Sequence, residues 1–276
     1  VDLSDFESIF RLVDELDKRN ISLDRVVMNA GVVPKEARKT KQGFEEMFAV
    51  NYLANFLLAT ELLRRGVIPN KSFSRKAGET GTSTGTGTGT SRLAAAGSDE
   101  TAQAGEISVP RIVFVSSETH RTAGKIDFET FAAFTPYSMR ESVARYGYTK
   151  LLLETFVIEL TRRLSGGTGD VAHNLPSAGG AEVAVHSLCP GPVNTNIARE
   201  APPIFHPPMK LFFSLFFKSP AQACKPVVYL SCADAIEGKT GIYLHLMTPK
   251  NAGEEALDPE KGAVLWRKTE ELIEAE

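Results

Sequence analysis

The sequence lacks the features that would direct a protein to nucleic acid or across a membrane. Its 276 residues carry a net charge of −3, and no stripe of lysine and arginine stands out, so nucleic acid is not expected as a partner. The longest apolar stretch, residues 209–217, is far shorter than the roughly 20 residues that a membrane span needs. A peripheral membrane contact through residues 204–217 is compatible with this composition.

Cysteine is also scarce, with only Cys189, Cys224 and Cys232 in the whole chain. Their spacing is neither paired nor typical of metal ligands, which argues against a disulfide framework and a metal site and favours a reducing compartment. No signal peptide is visible, and the chain opens at Val1 without an initiator methionine. We therefore expect a fragment or a processed product that is cytoplasmic or peripherally associated with a membrane.

Two segments have little apolar content. Residues 71–108 are rich in Gly, Thr, Ser and Ala, and residues 165–180 are rich in Gly. Such segments bury too little apolar surface to offset the entropy lost on ordering. We interpret them as disordered insertions in a single domain that spans residues 1–276.

Elsewhere, helical and strand-like patterns alternate. Helices are predicted over 4–19, 41–65, 148–164, 220–233 and 259–274, and strands over 25–30, 111–116, 182–188 and 241–246. This alternation predicts an α/β fold in which helices cover both faces of a doubly wound parallel sheet. Ligands of such sheets bind beyond the carboxyl ends of the strands, so residues that follow the strands are the candidates for function.

A tyrosine and a lysine stand one helical turn apart. Tyr146 and Lys150 have i, i+4 spacing, which places both side chains on one face of a helix. A free phenol titrates near 10, and a neighbouring cation lowers that pKa, so the pair is suited to proton transfer. The same spacing also arises by chance in many helices, where it has no catalytic meaning.

Several motifs occur in the order known from one enzyme family. Asn29-Ala30-Gly31, Asn51, Ser116-Ser117, Tyr146 with Lys150, and Pro190-Gly191 follow one another along the chain. With them, the chain resembles a short-chain dehydrogenase/reductase, whose fold is Rossmann-like. The residues 116–120, 124–128, 217–223 and 238–243 further resemble the retinol-dehydrogenase-like branch.

The resemblance implies a role for each of four catalytic residues. Asn51 would hold a water that links the lysine to solvent, and Ser117 would bind the substrate oxygen. Tyr146 would donate or accept the proton, while Lys150 would lower its pKa and bind the nicotinamide ribose. The structural alternatives are a packed asparagine, a serine that caps the strand end and a solvated lysine.

The resemblance implies NAD or NADP as cofactor and leaves open which of the two. The cofactor contacts carried over are Asp2, Leu3, Asn29, Ala30, Gly31, Tyr146, Lys150, Pro190, Gly191, Val193 and Thr195. The family's Gly-rich turn, which binds the pyrophosphate at a helix N-terminus, does not precede Asn29. Residues 1–3 instead resemble the end of the family's third strand, which implies a fold that lacks its first three strands and leaves the strand at 25–29 with an open edge.

The expected function is interconversion of a carbonyl and an alcohol on a lipophilic small molecule. The aromatic residues of 204–217 would form a lid over the substrate, or alternatively a core or oligomer helix, which leaves room for a homo-oligomer. A rival hypothesis is a catalytically inactive fragment or an interaction module that retains the second half of the fold. An epimerase or dehydratase is less favoured, because too little chain follows Gly191 for the larger substrate domain of those relatives.

Overall fold

The computed structural model describes residues 1–73, 108–165, 181–192 and 219–276. These residues form a five-stranded sheet in the order β1-β2-β3-β4-β5, flanked by helices. The strands are β1 (Arg25–Met28), β2 (Arg111–Val115), β3 (Ala184–Cys189), β4 (Tyr243–His245) and β5 (Thr248–Lys250). The first three pairings are parallel and the last is antiparallel. The α/β architecture with a largely parallel sheet agrees with the sequence prediction.

The described helices connect these strands in the alternating order. They are α1 (Phe6–Lys18), α2 (Glu46–Phe48), a π-helical segment (Ala49–Leu53), α3 (Ala54–Arg64), α4 (Met139–Leu164), α5 (Pro220–Ala223), α6 (Lys225–Cys232), α7 (Glu254–Leu257) and α8 (Pro259–Glu274). Short 3₁₀ helices lie at Glu118–Thr122 and Asp234–Ile236. None of these helices has both the length and the apolar content needed to cross a lipid bilayer.

The sheet buries apolar side chains on both faces, as expected for a doubly wound fold. Along β2, Ile112 and Phe114 belong to the larger core, which includes side chains from α1, α3, α4 and α8. The intervening Val113 belongs to a smaller core on the opposite face, together with Leu188 and with Leu230 of α6. Because side chains alternate along a strand, one apolar run contributes to the cores on both faces of the sheet. The sheet therefore lies between two layers of helices.

The structure corrects three sequence predictions. Helix α4 begins at Met139 rather than at residue 148, so Tyr146 and Lys150 lie well inside it. The region 220–233 forms two helices, α5 and α6, rather than one. The sheet also ends in an antiparallel strand, β5, which was not predicted. Its Pro249 and Lys250 are typical of exposed edges, where they discourage pairing with another chain.

Several predicted segments lie outside the described residues. They include nearly all of the insertion predicted at 71–108, all but the first residue of that predicted at 165–180, and the aromatic stretch 204–217. The disorder predicted for the first two and the lid predicted for the third therefore stay predictions.

A buried polar cluster lies beneath the strand β2. The Arg111 side chain is 1% exposed and forms an ion pair with Glu237. Its Nη1 also donates to the carbonyls of Leu230 at 3.3 Å and Ala233 at 3.0 Å. On the adjacent strand, burial and the Arg111 charge lower the pKa of His186 to about 3, so His186 is neutral in the folded protein near pH 7.

His186 makes the folded protein sensitive to acid. Its pKa rises from about 3 to the ordinary 6.5 on unfolding, so the unfolded chain binds the additional proton and stability falls as pH drops below 6.5. Between pH 7 and pH 5 this residue alone removes about 2 kcal/mol. Urea unfolding at both pH values should show this loss in the wild type but not in a His186→Gln variant. Equal losses in the two proteins would contradict the assignment.

Candidate active site

The residues predicted to act in catalysis converge at the carboxyl edge of the sheet. Strands β1, β2 and β3 are parallel and adjacent, so the segments that follow them open on the same side. These segments begin with Asn29, Ser116 and Pro190. Helix α4 brings Tyr146 and Lys150 to this edge, because the Lys150 Nζ donates to the carbonyl of Val115 at the end of β2.

The placement of Tyr146 beside Ser117 depends on a close approach of two helices. A Cβ at Gly147 would lie 3.0 Å from the Thr119 carbonyl oxygen, so glycine lets α4 pack directly on the 3₁₀ helix. The Ser117 Oγ accepts from the Thr119 N at 3.3 Å and from the Thr119 Oγ1 at 3.0 Å. Both acceptor positions of the Ser117 oxygen are used, so its hydroxyl is left as a donor. A hydrogen bond from this hydroxyl to Tyr146 lowers the pKa of the tyrosine and so opposes the effect of burial.

Lys150 is buried, with 3% of its surface exposed. Its Nζ donates to the Val115 carbonyl at 2.7 Å and lies 5.6 Å from the centre of the Tyr146 ring. An ammonium within about 6 Å of an aromatic face is attracted by it. The lysine is therefore tied to the strand end on one side and to the tyrosine ring on the other, which excludes the solvated alternative.

Asn51 joins the loop after β1 to α4. Its Oδ1 accepts from the Val32 N at 2.8 Å, and its Nδ2 donates to the Val32 carbonyl at 3.0 Å and to the Thr149 Oγ1 at 3.2 Å. The Thr149 hydroxyl in turn donates to the Tyr146 carbonyl at 2.9 Å. A continuous chain of hydrogen bonds thus links the end of β1 to the backbone of the tyrosine.

The backbone around Asn51 is π-helical from Ala49 to Leu53. A π-helical turn leaves carbonyl groups without their usual α-helical partners, and here Asn55 replaces those partners. Its Nδ2 donates to the carbonyls of Val50 at 3.2 Å and Asn51 at 3.1 Å. The side chain of Asn51 itself contacts Val32 and Thr149, and its predicted water contact stays a prediction.

The electrostatics of the tyrosine–lysine pair differ from the sequence prediction. Burial raises the pKa of Tyr146 to about 12, the Cys189 thiol adds to this increase and Ser117 opposes it. Burial lowers the pKa of Lys150 to about 8, against the effects of Glu154 and Cys189. The Tyr146 pKa is therefore raised overall rather than lowered, because burial of the phenol is the largest effect on it; the predicted effect of Lys150 on the tyrosine stays a prediction.

Known proteins were compared by sequence with the chain. No protein family model matches it. Retinol dehydrogenase 14 of Mus musculus is 28% identical over 275 residues, which cover 99% of this chain and 66% of that protein. Retinol dehydrogenase 13 of Mus musculus is 29% identical with the same two coverages, and polyprenol dehydrogenase of Homo sapiens is 28% identical over 88% of this chain and 59% of its own length.

The chain is thus similar in sequence to retinol dehydrogenases and to polyprenol dehydrogenase. It spans less than two thirds of the length of these relatives. The resemblance to retinol dehydrogenases, inferred from the motifs around Ser117, Tyr146 and Pro190, is thereby confirmed.

Solved structures share the fold of this dehydrogenase homologue. A crystal structure of a Mycobacterium Paratuberculosis protein superposes with a TM-score of 0.60 at 21% identity, over 99% of this chain and 74% of that one. The RhlG/NADP active-site complex of Pseudomonas aeruginosa gives a TM-score of 0.50 at 18% identity, over 92% and 75% of the two chains. Both comparisons support the Rossmann-like architecture.

The remaining cofactor residues predicted for the dehydrogenase homologue fall into two groups. Asn29, Ala30, Gly31, Pro190 and Gly191 follow β1 and β3 at the carboxyl edge, while Val193 and Thr195 lie outside the described residues. Asp2 and Leu3 precede α1 in a turn rather than ending a strand. The Asp2 Oδ1 accepts from the Ser4 N at 2.9 Å and from the Ser4 Oγ at 2.7 Å, so half of the carboxylate already has local partners.

Glu118 lies in the motif 116–120, and the sequence alone predicted no role for it. It accepts from the Tyr243 hydroxyl at 2.6 Å and from the Lys250 Nζ at 3.0 Å. Burial raises the pKa of Glu118, but the hydrogen bonds outweigh this effect and lower the pKa to about 2. The carboxylate therefore ties β4 and β5 to the segment that carries Ser117. Its position directly after the Ser-Ser pair was the available signal.

Cys189 and Thr149 were also missed. Cys189 ends β3, is 5% exposed, and its charge state affects both Tyr146 and Lys150. Burial raises the pKa of its thiol, so the thiol is neutral at pH 7. Thr149 lies directly before Lys150, and that adjacency was its signal in the sequence.

Proposed function

We propose that this chain carries the proton-handling part of an NAD(P)-dependent oxidoreductase that interconverts a carbonyl and an alcohol on a lipophilic small molecule. The observation that supports this most strongly is the meeting of Ser117, Tyr146 and Lys150 at the end of β2. One hydroxyl is left as a donor, one phenol remains protonated at neutral pH, and one buried ammonium lies against the phenol ring. These are the groups that a carbonyl oxygen needs as it becomes an alkoxide.

The described residues fit the nicotinamide ribose end of the cofactor. Lys150 uses one N–H on the Val115 carbonyl, and an ammonium has three donors, which leaves two for ribose hydroxyls. A Cβ at Gly31 would lie 3.3 Å from the Asn51 Oδ1 and 3.8 Å from the Lys150 Nζ, so glycine keeps the space beside the ammonium open. When bound there, the nicotinamide would supply or take up the hydride.

The proton step follows from the states of the side chains. Ser117 donates to the substrate oxygen and holds it near the Tyr146 hydroxyl. Tyr146, whose pKa is about 12, is protonated at pH 7 and acts as the proton donor when a carbonyl is reduced. The Lys150 ammonium stabilises the phenolate that remains, because an opposite charge nearby favours the ionised form.

The proposed substrate class is a lipophilic aldehyde, ketone or alcohol. The relatives are named for retinol and polyprenol, both of which combine one hydroxyl with a long apolar chain. In this sequence, the aromatic-rich residues 204–217 would supply a matching apolar surface. A short aldehyde of the same reactivity gains little from such a surface, since each buried CH₂ contributes about 0.8 kcal/mol.

Turnover and its pH dependence test the proposal. Reduction of retinal should oxidise NADH or NADPH, and its rate should be steady below about pH 8 and fall above it, because the Lys150 pKa is about 8. Propanal is the control substrate and should give a kcat/KM at least about a hundredfold lower, since it lacks the apolar chain. Turnover and nucleotide binding should be measured on the same preparation. Absence of both would contradict the proposal.

The rival function is an inactive fragment or an interaction module. It is favoured by the free edge of β1, which within the described parts of the chain pairs only with β2 and leaves Val27 41% exposed. An unpaired strand edge can accept a strand from another protein. Titration with NADH and NADPH, followed by nucleotide fluorescence, separates the two functions. Binding favours the enzyme, and absence of binding favours the module.

A further inference from the structure

A carboxylate is buried behind the proposed catalytic lysine. Glu154 is 0% exposed, and its Oε1 accepts from the Ser187 Oγ at 2.7 Å. Its Oε2 has no hydrogen-bond partner among the described residues. Burying a carboxylate with an oxygen left over is costly unless another charge compensates for it. The neighbouring group of opposite charge is Lys150.

Lys150 lies one helical turn before Glu154. The i, i+4 spacing within α4 places both side chains on the same helix face. Lys150 is equally buried, and the one hydrogen-bond acceptor found for it in the described residues is the neutral carbonyl of Val115. Two buried groups of opposite charge, each incompletely hydrogen-bonded, therefore occupy neighbouring positions.

The other titratable groups around this pair come from three elements. Tyr146 lies on α4 itself, Cys189 ends β3 and influences Lys150, and Tyr243 of β4 is influenced by Glu154. Burial raises the pKa of all three above its ordinary value, so all three are neutral at pH 7. Glu154 is the one carboxylate among these groups.

We propose that Glu154, held in place by Ser187, is a positioning residue that keeps Lys150 protonated beside Tyr146. The proposal rests on the proposed function for the meaning of that charge in catalysis, but its electrostatic content is independent of turnover. Burial lowers the Lys150 pKa to about 8, and the Glu154 charge opposes this effect. Without the carboxylate, the pKa would fall further, and Lys150 would lose its proton at neutral pH.

An NMR titration of the Lys150 13Cε resonance tests the charge directly. The resonance is assigned by its loss in Lys150→Arg and followed between pH 6 and pH 11 without nucleotide. Glu154→Gln keeps the shape and the Ser187 hydrogen bond but removes the charge, so the proton affinity of Lys150 should fall at least roughly tenfold. Glu154→Asp keeps the charge and should restore most of that affinity.

Glu159→Gln is the matched control. Glu159 is a second buried carboxylate of α4, 7% exposed, and it pairs with Arg162 and Arg163 rather than with Lys150. Its replacement should leave the Lys150 titration unchanged. An unchanged titration in Glu154→Gln, or an equal change in Glu159→Gln, would overturn the proposal.

Ser187→Ala provides a second variant in case Glu154→Gln does not fold. Without this donor the Glu154 carboxylate loses the hydrogen bond that holds it in place, so Lys150 should titrate in the same direction by a smaller factor. No change in Ser187→Ala would then overturn the proposal. Because these titrations need no activity, an inactive chain with the expected titrations would contradict the proposed function alone. In an active protein, the decline in rate at high pH should also move to lower pH in Glu154→Gln.

Discussion

Replacing Tyr146 with Phe lowers the kcat of carbonyl reduction by about two to four orders of magnitude, the range expected when a general acid is removed. The substitution removes only the hydroxyl that is hydrogen-bonded to Ser117, and it keeps the ring against which the Lys150 ammonium lies. The fold and nucleotide binding should therefore be retained. Steady-state turnover and nucleotide fluorescence, measured on the same preparation, separate the lost proton transfer from a lost site.

Tyr148→Phe is the matched control for this experiment. Tyr148 lies two positions further along α4 and lines a cavity of about 230 Å³ with Asp127 and Phe131, on another face of the helix. Its hydroxyl has no role in the proposed proton step, so activity should stay within about threefold of the wild type. Equal losses in the two variants would point to a general disturbance of α4. Activity of Tyr146→Phe close to that of the wild type would exclude the tyrosine as the acid.

Glu237→Gln destabilises the folded protein by about 2 kcal/mol, because it removes the partly exposed counter-charge of the buried Arg111 guanidinium. The Glu237 carboxylate also accepts from the Val109 N at 2.8 Å and from the Ser108 Oγ at 3.0 Å. The substitution therefore loosens the entry to β2 as well as the ion pair. Urea unfolding at pH 7 measures the change as a lower midpoint at constant slope.

Two further variants identify the cause of that loss. Arg111→Met combined with Glu237→Gln removes both charges and should recover most of the stability, since a buried pair replaced by apolar packing is often neutral. Glu271→Gln disrupts the exposed pair with Arg267, whose side chains are 57% and 63% exposed, and should cost less than about 1 kcal/mol. A loss in Glu237→Gln no larger than this control would contradict a structural role for the pair of Arg111 and Glu237.

Strands β1 to β4 could be predicted because they are short, mainly apolar runs, and the C-terminal helix could be predicted because its apolar residues recur with the helical period. The start of α4 could not, because its first turns, from Met139 to Arg145, are mostly polar or exposed. That start is set by local hydrogen bonds, with the Ser138 N donating to the Glu141 Oε2 at 2.9 Å. Strand β5 has no apolar pattern at all, and only its pairing with β4 defines it.

Within the candidate site, residue types could be predicted, but their electrostatic states could not. The spacing of Tyr146 and Lys150 correctly places them on one helix face, yet it contains no information on burial. Burial raises the pKa of the phenol to about 12 and lowers that of the lysine to about 8. The role proposed for Glu154 could be found only from the structure, because it depends on a hydrogen bond between this residue of α4 and Ser187 of β3.

The π-helical turn at Ala49–Leu53 makes the site depend on residue count as well as on residue type. Each residue of an α-helix advances by about 100°, so the extra residue of a π-turn offsets the two flanking helical segments in angle. Loss of one residue there would leave Asn51, Ser117, Tyr146 and Lys150 all present. It would nevertheless turn the amide away from Val32 and Thr149, which it now joins. Two chains with identical catalytic residues could thus differ in whether their strand-end loop is attached to the catalytic helix.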